Sequence, residues 1–135
     1  MIVTEGGRFG GYALFLSKGE FGVGRGKVVF AYNLLDLKRT LWEGPELAPG
    51  KHTVMFDFKP SGPGLGKGGT GELSVDGKVV ATNTLDHTTP ITFPEDESFD
   101  VGLDTRTGVT LVEHRYDTPF RFTGKIDRLT FKLRP

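Results

Sequence analysis

Hydrophobic and polar residues alternate along much of the chain, most clearly between residues 51 and 59. Here His52, Val54, Phe56 and Phe58 fall on one side, and a threonine, a methionine and an aspartate fall on the other. Alternation with a period of two is typical of a β-strand with one buried face. The pattern predicts a strand over this segment.

A second unit reads as a β-hairpin. Two runs of strand-forming residues, 72–75 and 78–81, flank the dipeptide Asp76-Gly77. Asp-Gly suits the two positive-φ positions of a type I′ turn, whose twist matches that of paired antiparallel strands. This is the clearest hairpin signal in the chain.

The whole pattern predicts about ten short strands and no helix. No stretch keeps helical spacing for three turns behind an N-terminal cap. Further strands are predicted at Tyr12–Leu16, Lys27–Asn33, Leu37–Glu43, Thr89–Phe93, Phe120–Phe122 and Ile126–Leu133. Strands separated by Gly and Pro must bury their apolar faces by stacking two sheets or closing a barrel. We predict an all-β chain folded as one antiparallel two-sheet sandwich over residues 1–135.

Composition supports this class and narrows the function. The 135 residues include 20 glycines, 11 phenylalanines and no cysteine, with 17 basic and 17 acidic side chains. The charge balance argues against nucleic acid as a partner, and the lack of cysteine excludes disulfides and thiolate chemistry. No run approaches the roughly 18 apolar residues of a membrane span, and the first residues do not resemble a signal peptide.

Glycine clusters at 6–11, 22–26 and 62–71 interrupt the strand pattern, and the third is predicted to be a ten-residue polar turn region. The second cluster, and Gly64–Thr70 within the third, superficially resemble phosphate-binding turns. Such turns need a following helix N-terminus, whereas a strand is predicted after each of them. We therefore do not predict nucleotide binding.

The spacing of the three histidines does not indicate a metal site. His52, His87 and His114 share no metal-ligand spacing, and His52 is predicted to be a hydrogen-bonded structural residue. A Ser-His-Asp triad needs its members to meet only in space, but no Gly-x-Ser-x-Gly nucleophile elbow is present.

One acidic segment is a candidate metal site. Asp100 and Asp104 flank Gly102 where a strand is predicted to end, and their carboxylates could supply oxygen ligands to Ca²⁺. The alternative is an ordinary turn, in which aspartate side chains bond to nearby backbone N–H groups.

Aromatic and polar residues near two predicted strands are candidate sugar contacts. Aromatic faces stack on pyranose rings, and amide or guanidinium groups bond to their hydroxyls. The alternative is sheet packing, since a lone tryptophan in a strand is more often part of the core. The candidates are Tyr12, Tyr32, Asn33, Arg39 and Trp42.

Several stretches, in the same order as in a known family, together resemble the C-terminal region of bacterial arylsulfatases of the alkaline-phosphatase-like superfamily. The likeness extends over essentially the whole chain. The stretches that carry it are Gly6–Tyr12, Val29–Leu35, Gly64–Gly71, Val75–Lys78, Ser98–Thr105 and Phe120–Ile126.

The resemblance implies a concanavalin A-like jelly-roll domain packed beside, or tethered to, a sulfatase catalytic domain. Sulfatase catalysis requires Cys or Ser followed by x-Pro-x-Arg. The nearest version here, Ser61-Gly62-Pro63-Gly64-Leu65, places leucine where the arginine should stand. The chain is therefore expected not to be an enzyme and to have no cofactor other than a possible calcium ion. The related sulfatases suggest a periplasmic or secreted location.

Two functions remain open from the sequence. The first is an accessory domain that contacts a sulfatase catalytic domain or another protein surface. The second is an autonomous carbohydrate-binding module of the lectin or laminin-G type, with or without calcium. A glycosidase is less favoured, because the acidic residues 95–97 follow Pro94 in a predicted turn and do not form a Glu pair along one strand.

Overall fold

The computed structural model describes residues 1–18, 26–90 and 97–133. These residues form ten β-strands, all paired antiparallel, and contain no helix. The strands are β1 Val3–Gly7, β2 Gly10–Ser17, β3 Lys27–Leu34, β4 Lys38–Glu46, β5 Val54–Pro60, β6 Lys67–Val75, β7 Lys78–His87, β8 Phe99–Val101, β9 Leu103–Asp104 and β10 Phe120–Arg121. The prediction of an all-β chain is confirmed.

The strands assemble into two main sheets and one short pair. A five-stranded sheet has the order β4-β3-β2-β1-β8, and a three-stranded sheet has the order β5-β6-β7. Strands β9 and β10 pair with each other. The arrangement is consistent with a β-sandwich, in which the apolar faces of the two main sheets are buried against each other.

Strand β3 shows how the five-stranded sheet is packed. Its Val28, Phe30 and Tyr32 belong to a core cluster that also includes Leu73 of β6. The alternate residues Val29 and Ala31 are buried in a second cluster. Because both faces are covered, the strand reads as a nearly continuous apolar run.

The chain between β9 and β10 covers the outer face of the five-stranded sheet. Val109 from this segment is fully buried with Phe15 of β2. The ring of Tyr116 contacts Phe15 edge-on at a centroid distance of 5.1 Å and stacks on Phe120 at 4.7 Å. An irregular segment held by aromatic contacts therefore forms a third layer beside the two sheets.

Strand β6 corrects the prediction of a long glycine-rich loop, because the loop spans only residues 61–66. Glycine is a poor strand former on its own. At Gly71, however, an added Cβ atom would lie 2.6 Å from Phe56 Cζ and 2.7 Å from Trp42 Cζ2. The missing side chain makes room for these two rings, so packing between the sheets favours glycine in the middle strand.

The Asp76-Gly77 hairpin is confirmed as the turn between β6 and β7, with positive φ angles of 51° and 82°. The Asp76 carboxylate also anchors the start of β5. It accepts a hydrogen bond from Thr53 N at 2.8 Å and lies 2.7 Å from His52 Nδ1. His52 is thus a hydrogen-bonded residue, as its position in the sequence suggested.

One predicted strand, Ile126–Leu133, is not observed. Residues 126–133 alternate in polarity but pair with no strand among the described residues. Leu129 packs against the core, whereas Leu133 is 92% exposed. Of the predicted strand Thr89–Phe93, the structure describes only residues 89 and 90, which lie outside any strand. Residues 91–93 lie outside the described residues. The same holds for most of the glycine cluster at 22–26 and for the acidic residues 95 and 96.

No membrane-spanning helix is found in residues 1–18, 26–90 and 97–133.

Candidate functional site

The turns and loops at one end of the sandwich form a connected surface, which we call the loop end. It comprises the turns at 8–9 and 35–37, the loop at 61–66, and the segments 88–90 and 107–113. In an antiparallel sheet, the β1–β2 and β3–β4 turns lie at the same end, as the pairs Gly7↔Gly10 and Leu34↔Lys38 show. Hydrogen bonds that involve the side chains of Asn33, Arg39 and Tyr32 hold these parts together.

Asn33 links the two turns of the five-stranded sheet. Its fully buried amide donates hydrogen bonds to Gly7 O at 2.8 Å and Arg8 O at 2.7 Å. Its Oδ1 accepts a bond from Asp36 N at 3.0 Å, inside a turn where Leu35 and Asp36 both have positive φ. Non-glycine residues adopt this conformation at a cost, so the bond compensates for backbone strain. Asn33 therefore organises the loop end from below its surface.

Arg39 fastens the segment 107–113 to the same turns. Its Nε donates to Val109 O at 2.7 Å, and its Nη2 donates to Arg8 O at 3.0 Å and to the Asp36 carboxylate at 2.8 Å. A guanidinium can serve several acceptors at once because its donors have a fixed planar arrangement. Most of the donor capacity of Arg39 is thus used within the fold.

The three-stranded sheet joins the loop end through Tyr32. The Tyr32 hydroxyl accepts a hydrogen bond from Thr89 N at 2.8 Å, while Thr88 N donates to Gly66 O at 3.2 Å. The ion pair between Lys38 and Asp86, at 3.0 Å, adds a more exposed connection between β4 and β7. The turns of both sheets therefore form one surface.

A cleft lined mainly by aromatic rings lies between the sheets at this end. Its volume is about 180 Å³. Tyr12 and Tyr32 are direct partners on β2 and β3, and both line the cleft. The other lining residues are Phe30, Phe56, Phe58, Leu85 and Thr88. A space of this size suits a single six-membered ring, since a cavity of roughly 150 Å³ accepts benzene.

A polar groove runs along the neighbouring edge, between β4 and β7. Its volume is about 380 Å³, and its lining residues are Lys38, Arg39, Thr40, Leu41, Asn83, Thr84, Asp86 and Glu113. The groove offers amide, hydroxyl, carboxylate and cationic groups close together. Such a mixture of donors and acceptors can bond to the hydroxyl groups of a sugar.

Large apolar side chains are exposed in the turns, the loop and the segment 107–113 that make up the loop end. Leu37 is 82% exposed, Leu65 is 81% exposed and Val112 is 88% exposed, while Phe9 is about half exposed. One such residue is unremarkable, but several on one surface are typical of an interaction site. These four residues were not predicted as site residues from the sequence, although apolar residues within or beside predicted turns could have indicated them.

Trp42 does not form a surface for stacking on a sugar. Its ring is 1% exposed, contacts Phe30 and Phe56, and donates from Nε1 to Gly71 O at 2.8 Å. The alternative of sheet packing is therefore the correct description of Trp42. Asn33 is equally buried, so of the five sugar-contact candidates only Tyr12, Tyr32 and Arg39 line a cleft or groove.

The two candidate calcium ligands are engaged within the protein. Asp104 is buried and accepts hydrogen bonds from Tyr116 Oη at 2.7 Å and Arg106 N at 3.4 Å. Burial raises the pKa of the Asp104 carboxyl, and these two bonds act in the opposite direction. Asp100 accepts a bond from Ser98 Oγ at 2.8 Å. In the described ranges, no three His, Asp or Glu side chains gather closely enough to hold a metal ion.

No protein-family model matches the chain, and searches of curated proteins and solved structures return no match either.

Proposed function

We propose that this chain is an interaction domain of the jelly-roll type, which docks on a sulfatase catalytic domain through the loop end. The sequence resemblance to the C-terminal region of arylsulfatases motivates the choice of partner. The observation that carries the proposal is the exposure of four apolar residues, Phe9, Leu37, Leu65 and Val112, in the turns, loop and segment that make up the loop end.

The bonds beneath the surface favour docking. Asn33 and Arg39 hold the turns from inside, so less conformational entropy is lost when a partner binds. Charged groups of both signs, including Lys38, Asp36 and Glu113, lie in or directly beside the same turns and segment. An apolar centre with a polar rim is the usual composition of a protein interface.

The test is a triple substitution, Leu37→Asp with Leu65→Asp and Val112→Asp. Each side chain is more than four-fifths exposed, so the melting temperature should change little. Each position is expected to contribute about 1 kcal/mol to docking, so together they should weaken binding roughly 100-fold. The measurement is calorimetric titration with a sulfatase catalytic domain from the same genome, produced as a separate chain.

A matched control uses exposed apolar residues away from the loop end. Met55 and Val79 lie on the three-stranded sheet and are each about half exposed. The double substitution Met55→Asp with Val79→Asp should leave binding unchanged. The proposal is wrong if the native chain does not bind the catalytic domain, or if the triple variant binds it as tightly as the native chain.

The polar groove favours glycan recognition as a second function. In this proposal, Lys38, Asp86 and neighbouring amide and hydroxyl groups bond to sugar hydroxyls, while Tyr12 and Tyr32 offer aromatic faces in the adjoining cleft. Trp42 and Asn33 have no direct part in it.

For the glycan proposal, we expect saturable binding on an array of neutral and sulfated glycans. The double substitution Lys38→Ala with Asp86→Ala should reduce the signal at least about tenfold, because it removes two or more hydrogen bonds to the ligand. Lys51→Ala with Asp127→Ala removes another exposed ion pair and should have no effect. Absence of binding to every glycan, or equal loss in both variants, would refute glycan recognition by this groove.

A further inference from the structure

Three side chains that are distant in the sequence meet beside the end of β2. His114, from the segment between β9 and β10, lies between Ser17 and Glu43. Its Nδ1 is 2.9 Å from Ser17 Oγ, and its Nε2 is 2.6 Å from Glu43 Oε2. A nucleophile, a base and an acidic residue that orients the base thus form a continuous hydrogen-bonded chain.

The carboxylate determines which nitrogen of His114 carries the proton. An ionised carboxylate only accepts hydrogen bonds, so Nε2 must donate to Glu43. The neutral ring then presents the lone pair of Nδ1 to the Ser17 hydroxyl. This is the arrangement that a general base requires, with the two ring nitrogens exchanged relative to the usual serine hydrolase.

Ser17 can also accommodate the protonated ring. Once Nδ1 carries a proton, it can donate to Ser17 Oγ, and the hydroxyl can turn toward Lys18 O at 3.3 Å. Both protonation states of His114 therefore have hydrogen-bond partners, as a group that takes up and releases a proton requires.

Glu43 is itself held in place. Lys27 Nζ donates to its second oxygen at 2.7 Å. The hydrogen bonds from Lys27 and His114 lower the pKa of the Glu43 carboxyl, so that it remains ionised near neutral pH. An ionised and oriented carboxylate stabilises the imidazolium that forms during proton transfer.

The backbone around His114 is turned so that the ring reaches this position. His114 has a φ of 52°, which is uncommon for a residue other than glycine, and Thr110 Oγ1 donates to its carbonyl at 2.9 Å. The ring is 19% exposed and Glu43 is 43% exposed, so the site opens to solvent.

We propose that Ser17, His114 and Glu43 form a nucleophilic acyl-transfer site for small esters with good leaving groups. This activity goes beyond the proposed docking function and departs from the expectation that the chain is not an enzyme. Triads are defined by geometry and roles, so the lack of a Gly-x-Ser-x-Gly motif does not exclude one.

In the first half of the reaction, Ser17 Oγ forms a bond to the ester carbonyl carbon while its proton passes to His114 Nδ1. The bond to the leaving oxygen then breaks, and His114 returns the proton to that oxygen. In the second half, water attacks the acyl-serine, His114 takes a proton from the water, and the Ser17 Oγ–carbon bond breaks. Ser17 regains the proton, so the net products are a carboxylic acid and an alcohol.

The first experiment treats the intact chain with a fluorophosphonate probe, which forms a stable bond only with activated serine hydroxyls. We expect one adduct, located at Ser17 by peptide mass mapping, and none in Ser17→Ala. Ser61→Ala, which alters a serine of the loop at 61–66, should label like the native chain. Absence of an adduct on the folded native chain, or an adduct elsewhere, overturns the proposal.

The second experiment measures hydrolysis of p-nitrophenyl acetate and separates catalysis from a structural role. Ser17→Ala and His114→Gln should each lower the enzyme-dependent rate roughly 100-fold, the usual contribution of general base catalysis. Glu43 is a positioning residue, so Glu43→Gln should lower the rate, and Glu43→Asp should recover part of it, at unchanged melting temperatures. Equal rates in native chain and Ser17→Ala, or in Glu43→Gln and Glu43→Asp, argue against the site.

Discussion

Replacement of Trp42 by alanine is expected to lower the free energy of unfolding by about 3–5 kcal/mol. The ring is fully buried between the sheets, where it contacts Phe30 and Phe56 and bonds to Gly71 O. Its removal leaves a cavity and a buried carbonyl without its donor. Because Trp42 is the only tryptophan, denaturant unfolding should be followed by far-ultraviolet circular dichroism.

Trp42→Phe serves as the control for Trp42→Ala. It keeps most of the apolar contact but removes the donor to Gly71 O, so its cost should be about 1–3 kcal/mol. A Trp42→Ala variant that loses less than its phenylalanine counterpart would show that Trp42 does not pack between the sheets as described.

Replacement of Asn33 by aspartate should be similarly costly, at about 3–5 kcal/mol, although the two side chains have the same shape. The amide donates to Gly7 O and Arg8 O, whereas an ionised carboxylate would direct negative oxygens at these carbonyls. The charge would also be buried. The measurement is the free energy of unfolding in urea at neutral pH.

The matched control is Asn83→Asp, which makes the same change at an exposed position. Asn83 Nδ2 donates to Leu41 O at 3.1 Å, but water can replace this bond, so the expected cost is below about 1 kcal/mol. In acid, the Asn33→Asp penalty should shrink, because a protonated carboxyl is neutral and can donate one bond. Equal costs in the two variants would contradict the role assigned to Asn33.

Local patterns predicted the parts of the fold that depend on neighbouring residues. The alternation through Phe56 and Phe58 located β5, and Asp76-Gly77 located the hairpin, because side-chain spacing and turn chemistry are encoded within a few residues. Strand β6 was partly missed for the opposite reason. Its glycines disfavour a strand locally, and only close contacts with residues of other strands, both aromatic rings and backbone atoms, explain them.

The last predicted strand shows a different limit. The alternation of Leu129, Phe131 and Leu133 reports a preference for burial on one face, but a strand also needs a partner backbone. Leu129 does pack against the core, although no such partner pairs with residues 126–133 among the described strands.

The candidate sites were predictable only in part. Tyr12 and Tyr32 were selected from the sequence, and their shared cleft follows from the pairing of β2 and β3. The burial of Asn33 and Trp42 could not be predicted from nearby residues, because their side chains donate hydrogen bonds to carbonyl groups more than twenty residues away in the sequence. The meeting of Ser17 with His114 depends on the path of an irregular segment, for which no periodic pattern exists.

The close contact between Trp42 and Gly71 also bears on how this chain can diverge. The indole occupies the space that any larger residue at position 71 would need, so alanine there is expected to be harmful while tryptophan remains. Phe56 Cζ lies equally close to that space, so the same alanine is expected to become acceptable only when positions 42 and 56 both carry smaller residues. The effect of a substitution at position 71 thus depends on the residues at positions 42 and 56, and the three positions should evolve together.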